Sequence, residues 1–442
     1  MNILPYSIET TNDKLTSRAG LLTIAQLMSD LKLQERIDQH FTLPKSNHGF
    51  NPSAFIQTFI LMQHEGSVRL DDVRHLNEDE ALKTILGLKI IPKASTLGAW
   101  LRRMGKDKGS LDAWVSINKI ILKTALHNRK SITLDIDASE ILANKKGAKL
   151  TYNNDKGYMP MIGHIAETGQ VVACDFRDGN AAPAKENYEF ILQCIKSLPE
   201  NCYLKAVRID SAGYQTAIIK YCDENNITFS IRAKLNNDVK EEIYNTIDAD
   251  WKPLIDKNGN EVKNQETYRV IACIGDHEKA FNIVVQRTKI KGQSNIDFNA
   301  GEESEELNKQ GYMYRGVATN DNEKSDSDII HYYNQRAEDS ENRIKELKLD
   351  FGGDTMPCSD FKANRLYFLI CSMSFNLFAL MRHLLPEELS HHRMKTIRWR
   401  VYAMAAKVVK TGRKWYVKLE AKNQAMLEKV MQSLRRFEAP DI

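Results

Sequence analysis

Paired aspartates carry the first chemical signal. Thr133-Leu134-Asp135-Ile136-Asp137-Ala138 alternates apolar and acidic residues. The period-two alternation of a strand would put both carboxylates on one face and Leu134, Ile136 and Ala138 on the other. Asp210 closes the run Ala206-Val207-Arg208-Ile209 and precedes Ser211-Ala212-Gly213-Tyr214, a turn into a helix. Sites in open sheets gather at the carboxyl ends of strands, so Asp137 and Asp210 on neighbouring strands would face one cleft. Such a pair suits Mg²⁺ or Mn²⁺, which take carboxylate and water in preference to imidazole or thiolate; turn or capping acids are the plainer alternative. A third acid is offered by HYYNQRAEDSENRIKELK, residues 331–348. At ~100° per residue, Ile330, Ala337, Glu341, Ile344 and Lys348 share one stripe, so Glu341 and Lys348 are expected to point toward the core. Glu338 and Lys345 lie to the side. Three converging carboxylates would hold two divalent ions ~3.5–4 Å apart for phosphoryl transfer.

The elements that must position these acids change character along the chain. Residues 16–127 read as helices: Leu21, Ile24, Met28 and Leu31 keep helical spacing, and Phe55, Phe59 and Met62 resume it. Ala94-Ser95-Thr96-Leu97 opens a further helix carrying Trp100, Arg102 and Arg103, either a recognition helix or one member of an ordinary bundle. Strands are predicted over 131–138, 158–166 and 170–176, the last two joined at Glu167-Thr168-Gly169. A helix over 184–197, a strand over 203–209, a helix over 214–224 and a strand over 227–231 follow. This order predicts a mixed sheet flanked by helices. Residues 235–325 read as a β-rich insertion, with an Asn258-Gly259 turn and strands over 268–274, 281–288 and 312–319. A long helix should start near Ser327 or Asp328.

The chain has 442 residues, a soft prior for two to four domains. Lys and Arg number 62 against 58 Asp and Glu, and hydrophobic residues make up 42%, which excludes disorder as the main state. Leu366 to Met381 is shorter than the ~20 residues of a bilayer span and reads as a buried helix, so no membrane is expected. The N-terminus shows no export signal, which places the protein in the cytoplasm. Seven scattered cysteines, never Cys-x-x-Cys, argue for core thiols over a disulfide framework or zinc site. Arg393 to Lys422 holds ten Lys or Arg, with Arg398, Arg400 and Lys414 among them, and one acid, Glu420. Trp399, Tyr402, Trp415 and Tyr416 interleave with them. That mixture suits phosphate contacts with stacking, or else a solvated face with core aromatics.

LDIDAS at 134–139, RDGN at 177–180, VRIDSAGY at 207–214 and YNQRAEDSENRIKELK at 333–348 together resemble the DDE transposases of bacterial insertion sequences. More narrowly they resemble the insertion sequence thirteen-eighty family of the insertion sequence four superfamily, over residues 16 to 385 or so. The resemblance implies an α/β fold with a ribonuclease H-like mixed sheet, flanking helices and a β-rich insertion before the last acid. The implied domains are a helical DNA-binding or dimerisation segment at 1–128, catalytic parts at 129–234 and 326–385 around the insertion at 235–325, and a basic region at 386–442. Carried onto this sequence, the first acid precedes a small residue and a Ser or Thr, which selects Asp137, with Asp135 as runner-up. The second is Asp210. The third belongs to a signature of Tyr, two residues, Arg, three residues, Glu, six residues, Lys. Tyr333 and Arg336 match it, as does the Glu341 to Lys348 interval, but four residues separate Arg336 from Glu341, strict counting lands on Ser340, and Glu338 is the alternative. Tyr333, Arg336 and Lys348 would hold phosphates. Trp251 would stack on a flipped base or be a core aromatic. The implied cofactor is Mg²⁺ (or Mn²⁺), and the implied partner double-stranded DNA, both transposon ends and target, bound by a homodimer. The implied activity is cleavage at terminal inverted repeats and joining of 3′ hydroxyls to target DNA. A ribonuclease H-like nuclease without strand transfer, and a DNA-binding relic, are the rivals.

Overall fold

The computed structural model describes residues 9–46, 48–151, 153–290, 306–309 and 311–435. They form two compact units, one of residues 122–345 and one that joins residues 1–121 to 346–442.

Unit 122–345 is built on β1 (Ser131–Ala138), β2 (Met161–Ile165) and β3 (Val171–Asp175), then α1 (Asn187–Ser197), β4 (Tyr203–Ile209), α2 (Thr216–Glu224) and β5 (Thr228–Ala233). β2 runs antiparallel to β1 and β3, whereas β1, β4 and β5 are parallel neighbours. The β2–β3 hairpin turns at Gly169, whose φ of +85° strains any residue with a Cβ. One face of these strands is apolar. Leu134 and Ile136 pack there with Val207 and Ile209, under Phe190 and Ile191 of α1 and Ile218 and Ile219 of α2. The other face carries Thr133, Asp135 and Asp137, so the alternation that the sequence predicts is realised.

The segment expected as an insertion contributes β6 (Lys252–Ile255), β7 (Glu261–Ile274), β8 (His277–Lys289) and β9 (Tyr312–Thr319). These strands make no sheet of their own. β9 pairs antiparallel with β5, giving one continuous order β6-β7-β8-β9-β5-β4-β1-β2-β3, with residues 306–309 as a tenth strand beside β9. Asn258-Gly259 sits in the turn between β6 and β7, with Gly259 at φ +84°. α3 (Asn237–Asn245) precedes these strands, and α4 (Asp326–Asp350) follows them.

In the other unit, the helix Phe361–Leu384 is buried along most of its length and packs on the helices Pro52–Glu65 and Ala94–Lys106. It is long and apolar enough to cross a membrane, but 89% of its most apolar stretch is buried, as a core helix requires. Its polar groups are satisfied internally: Trp114 Nε1 donates to Leu369 O at 2.7 Å and Asn376 Nδ2 to Asn118 Oδ1 at 2.6 Å. Gly105 allows the close crossing, because a Cβ there would stand 2.6 Å from Lys362 O. On the helix Ala94–Lys106, Leu97, Trp100, Leu101 and Met104 are buried while Arg102 and Arg103 face solvent. A three-stranded sheet of Lys14–Thr16, Ala406–Thr411 and Lys414–Leu419, with the helix Ala421–Arg435, completes the unit. Among the described residues no cysteine forms a disulfide, and only Cys273 is exposed.

Candidate active site

The register places two acids side by side. Ile136 is level with Ile209 across the parallel β1–β4 pair, so Asp137 and Asp210, each the next residue, meet at the carboxyl ends of the strands. Asp210 also caps the following turn, its Oδ1 accepting from Ala212 N at 3.1 Å. The Asp137 side chain remains 28% exposed. Burial, with the adjoining Asp210 and Asp135 charges adding to it and Arg336 opposing, pushes the Asp137 carboxyl up to about 6. The Arg336 guanidinium, 3.4 Å away, offsets only part of that cost.

Asp135 has a different environment. It is fully buried, and both its oxygens accept from Arg208, at 2.6 Å from Nε and 2.7 Å from Nη2. Arg208 Nη1 donates in turn to Tyr332 O at 2.7 Å, and the guanidinium lies 4.9 Å from the Tyr332 ring centroid. Asp135 thus tethers sheet to helix. His164 lies 3.8 Å from it, and burial holds that imidazole neutral, its pKa well below the usual value.

α4 crosses the acidic face. Arg336, 7% exposed, donates to Ile136 O at 2.8 Å and stands 3.4 Å from Asp137 Oδ1. Arg343 donates to Ile165 O and Ala166 O at 2.9 and 2.6 Å. Tyr333 is buried among Arg336, Arg232, Asp210 and Asp137, and burial raises its phenol above the usual range. The structure therefore brings together Asp137, Asp210, Tyr333 and Arg336.

It does not bring Glu341 to them as the stripe argument expected. The inward face of α4 is Ile330, Tyr333, Arg336, Ser340, Ile344 and Leu347, while Ala337 and Glu341 are exposed. Ser340, at the position strict counting reaches, is 1% exposed, and the extra residue turns Glu341 ~100° away from it. Among the described residues no three His, Cys, Asp or Glu side chains are grouped to hold a metal ion. Lys348 is half-buried, belongs to the other compact unit and lies beside the Asp354 carboxyl.

Two further candidates are engaged inside the fold. Trp251 takes the place of a core aromatic: it is 5% exposed and packed against Tyr268 and Tyr314, with the Arg287 guanidinium 4.4 Å from its ring centroid. The Arg398 guanidinium is turned inward, donating to His64 O at 2.8 Å, to Gln63 O at 2.7 Å and to Asp350 O. Arg400 is exposed with Nη1 2.9 Å from His392 Nε2, and Lys414 is exposed on its hairpin. Sequence reading missed Arg232. Ile231 is level with Ile209, so Arg232 is level with Asp210 and extends the acid row onto β5. Its signal was available, since it follows an apolar strand run as Asp210 does.

An acid pair at the carboxyl ends of neighbouring parallel strands sits where sites of open α/β sheets gather. The chain belongs to the transposase DDE domain group 1 family, whose model matches residues 6–439. No curated protein matches it. Among solved structures it is similar to piggyBac transposase in a synaptic complex with hairpin DNA determined by cryo-EM, at 12% identity and a TM-score of 0.45 over 98% of this chain and 85% of that one.

Proposed function

We propose that this chain cuts DNA at the ends of its own mobile element and joins the freed 3′ hydroxyls to target DNA, acting as a dimer on paired ends. The observation that carries the reading is the level pairing of Asp137 with Asp210 at the open end of β1 and β4, together with the rise of the Asp137 carboxyl to about 6. Two hard oxygen donors at one open strand end, with burial outweighing the single neighbouring Arg336, fit a divalent cation of the Mg²⁺ or Mn²⁺ type. Asp137 and Asp210 would hold it, and Glu341, exposed on α4, is the third acid proposed. Such ions lower the pKa of an attacking oxygen and neutralise charge on the phosphate.

The chain's own residues do the rest. Arg336 is a planar donor anchored on Ile136 O whose Nε has no hydrogen-bond partner among the described residues. It would orient the scissile phosphate over the acids with Tyr333 and Arg232. Asp135 takes no part in the chemistry and fixes the frame through Arg208. Water is the first nucleophile and the 3′ hydroxyl the second.

The test is incubation with Mg²⁺ and a duplex carrying the element's ends, resolving nicks from joined products. Wild type should yield both, and Asp210→Asn neither. Loss with Glu341→Gln and not with Glu338→Gln supports the third acid proposed here, and the reverse moves it. Nicks that never become joined products favour a nuclease, and no cleavage with any divalent ion favours a DNA-binding relic.

A further inference from the structure

The hairpin Ala406–Thr411 and Lys414–Leu419 has two faces that its register separates, because directly opposed residues of an antiparallel pair share a face. One face pairs Ala406 with Leu419 and Val408 with Val417. It packs with Met404 and with Leu427 of the helix Ala421–Arg435. The other pairs Lys407 with Lys418, Val409 with Tyr416 and Thr411 with Lys414, and Leu15 of the third strand adjoins Lys407. All three lysines are exposed, and Tyr416 keeps 48% of its surface. Between residues 407 and 422 six Lys or Arg face a single acid, Glu420.

Lysines on an edge strand also guard against edge-to-edge pairing, and Lys414–Leu419 is an edge. That role does not call for a half-exposed tyrosine between them, nor for lysines on the inner strand Ala406–Thr411. We propose that this outer face docks double-stranded DNA, with the hairpin lying along the major groove. Lys414 and Lys418 are four residues apart, ~13 Å at the rise of a strand. The ~12 Å major groove admits a two-stranded ribbon, and at that separation along the strand the two ammonium groups reach separate phosphates along the groove. Lys407, 2.8 Å from Asp13 in the free protein, exchanges that partner for a phosphate. Tyr416 lies against the duplex between them. The proposal rests on DNA being the partner and adds the surface that grips its backbone.

The test uses the full chain and a 30-base-pair duplex of arbitrary sequence, with binding followed by fluorescence anisotropy across a salt series. Replacing Lys407, Lys414 and Lys418 together by Gln should weaken binding at least tenfold near 0.1 M salt. It should also flatten the log-log salt slope by up to about 2.7, or about 0.9 for each lost phosphate contact. The same three positions changed to Arg should restore the slope. An unchanged slope in a Gln variant that melts like wild type overturns the proposal. So does tighter binding of a single strand than of the duplex, or a variant that only aggregates, which would leave the lysines as edge guards. Hairpin-dependent binding by a wild-type protein that never cuts DNA would sink the catalytic reading and leave this one standing.

Discussion

Asp137→Asn should stabilise the unit formed by residues 122–345 while abolishing DNA cleavage. At 1.36 kcal/mol per pH unit, raising a carboxyl from 3.8 to about 6 withdraws ~3 kcal/mol from folding once both states are ionised. With the side chain 28% exposed and 3.4 Å from Arg336, the amide also gives up a favourable contact, which brings the net gain to about 1–2 kcal/mol. A unit of this size shifts ~2–4 °C per kcal/mol, so its melting point should rise by roughly 2–8 °C. The pH dependence fixes the cause. Because the folded state prefers the protonated acid, its relative stability is intact below about 3.8 and is lost as pH climbs through about 6. Scanning calorimetry in EDTA should therefore show the variant's advantage in full above pH 6.5 and shrinking to nothing near pH 4. A variant less stable than wild type at pH 7.5, or an advantage that ignores pH, would refute the reasoning.

Asp135→Ala should have the opposite effect, since it leaves Arg208 buried without its bidentate partner. A loss of about 3–5 kcal/mol, read from the urea midpoint, is expected. Mn²⁺ affinity, measured by titration calorimetry, should fall about tenfold per pH unit below pH 6 in wild type, where protons compete for Asp137; in Asp137→Asn that dependence should vanish. Arg398→Ala should lower the melting point by removing the donor to His64 O, Gln63 O and Asp350 O, about 2–4 kcal/mol, without flattening the salt slope of DNA binding. Trp251→Ala should cost about 3–5 kcal/mol in chemical denaturation by emptying a core site, an effect that a base-stacking residue on the surface would not produce.

What was legible in the sequence followed from short-range periodicity. The alternation at 131–138 set the acid face of β1, and the apolar run before Asp210 set the end of β4. The buried helix around Leu366 to Met381 was legible for the same reason. Where burial is secured by a polar side chain finding a backbone partner, hydropathy misleads. Arg336 lies on the inner face of α4 because it reaches Ile136 O, so the inward stripe runs through Arg336 and Ser340 and Glu341 falls outside it. Arg398 is the same case, a guanidinium held by three carbonyls inside a run that reads as a basic surface. Trp251 was ambiguous because an aromatic before a strand looks alike whether it faces solvent or a sheet. The apparent insertion concealed a non-local fact, the pairing of β9 with β5, which no window of local pattern contains.

The division of the chain also orders its assembly on the ribosome. Residues 122–345 are contiguous and can close their sheet as they emerge. The helices Pro52–Glu65 and Ala94–Lys106, made earlier, must wait for Phe361–Leu384 before Phe59 and Trp100 are covered. At 5–20 residues per second the ~40 residues from 345 to 384 take on the order of 2–8 s. For that interval the nascent chain carries a finished acid pair beside an unfinished helical core. A message truncated before residue 361 would leave that core permanently open, an aggregation-prone fragment and a natural substrate for chaperones and proteases.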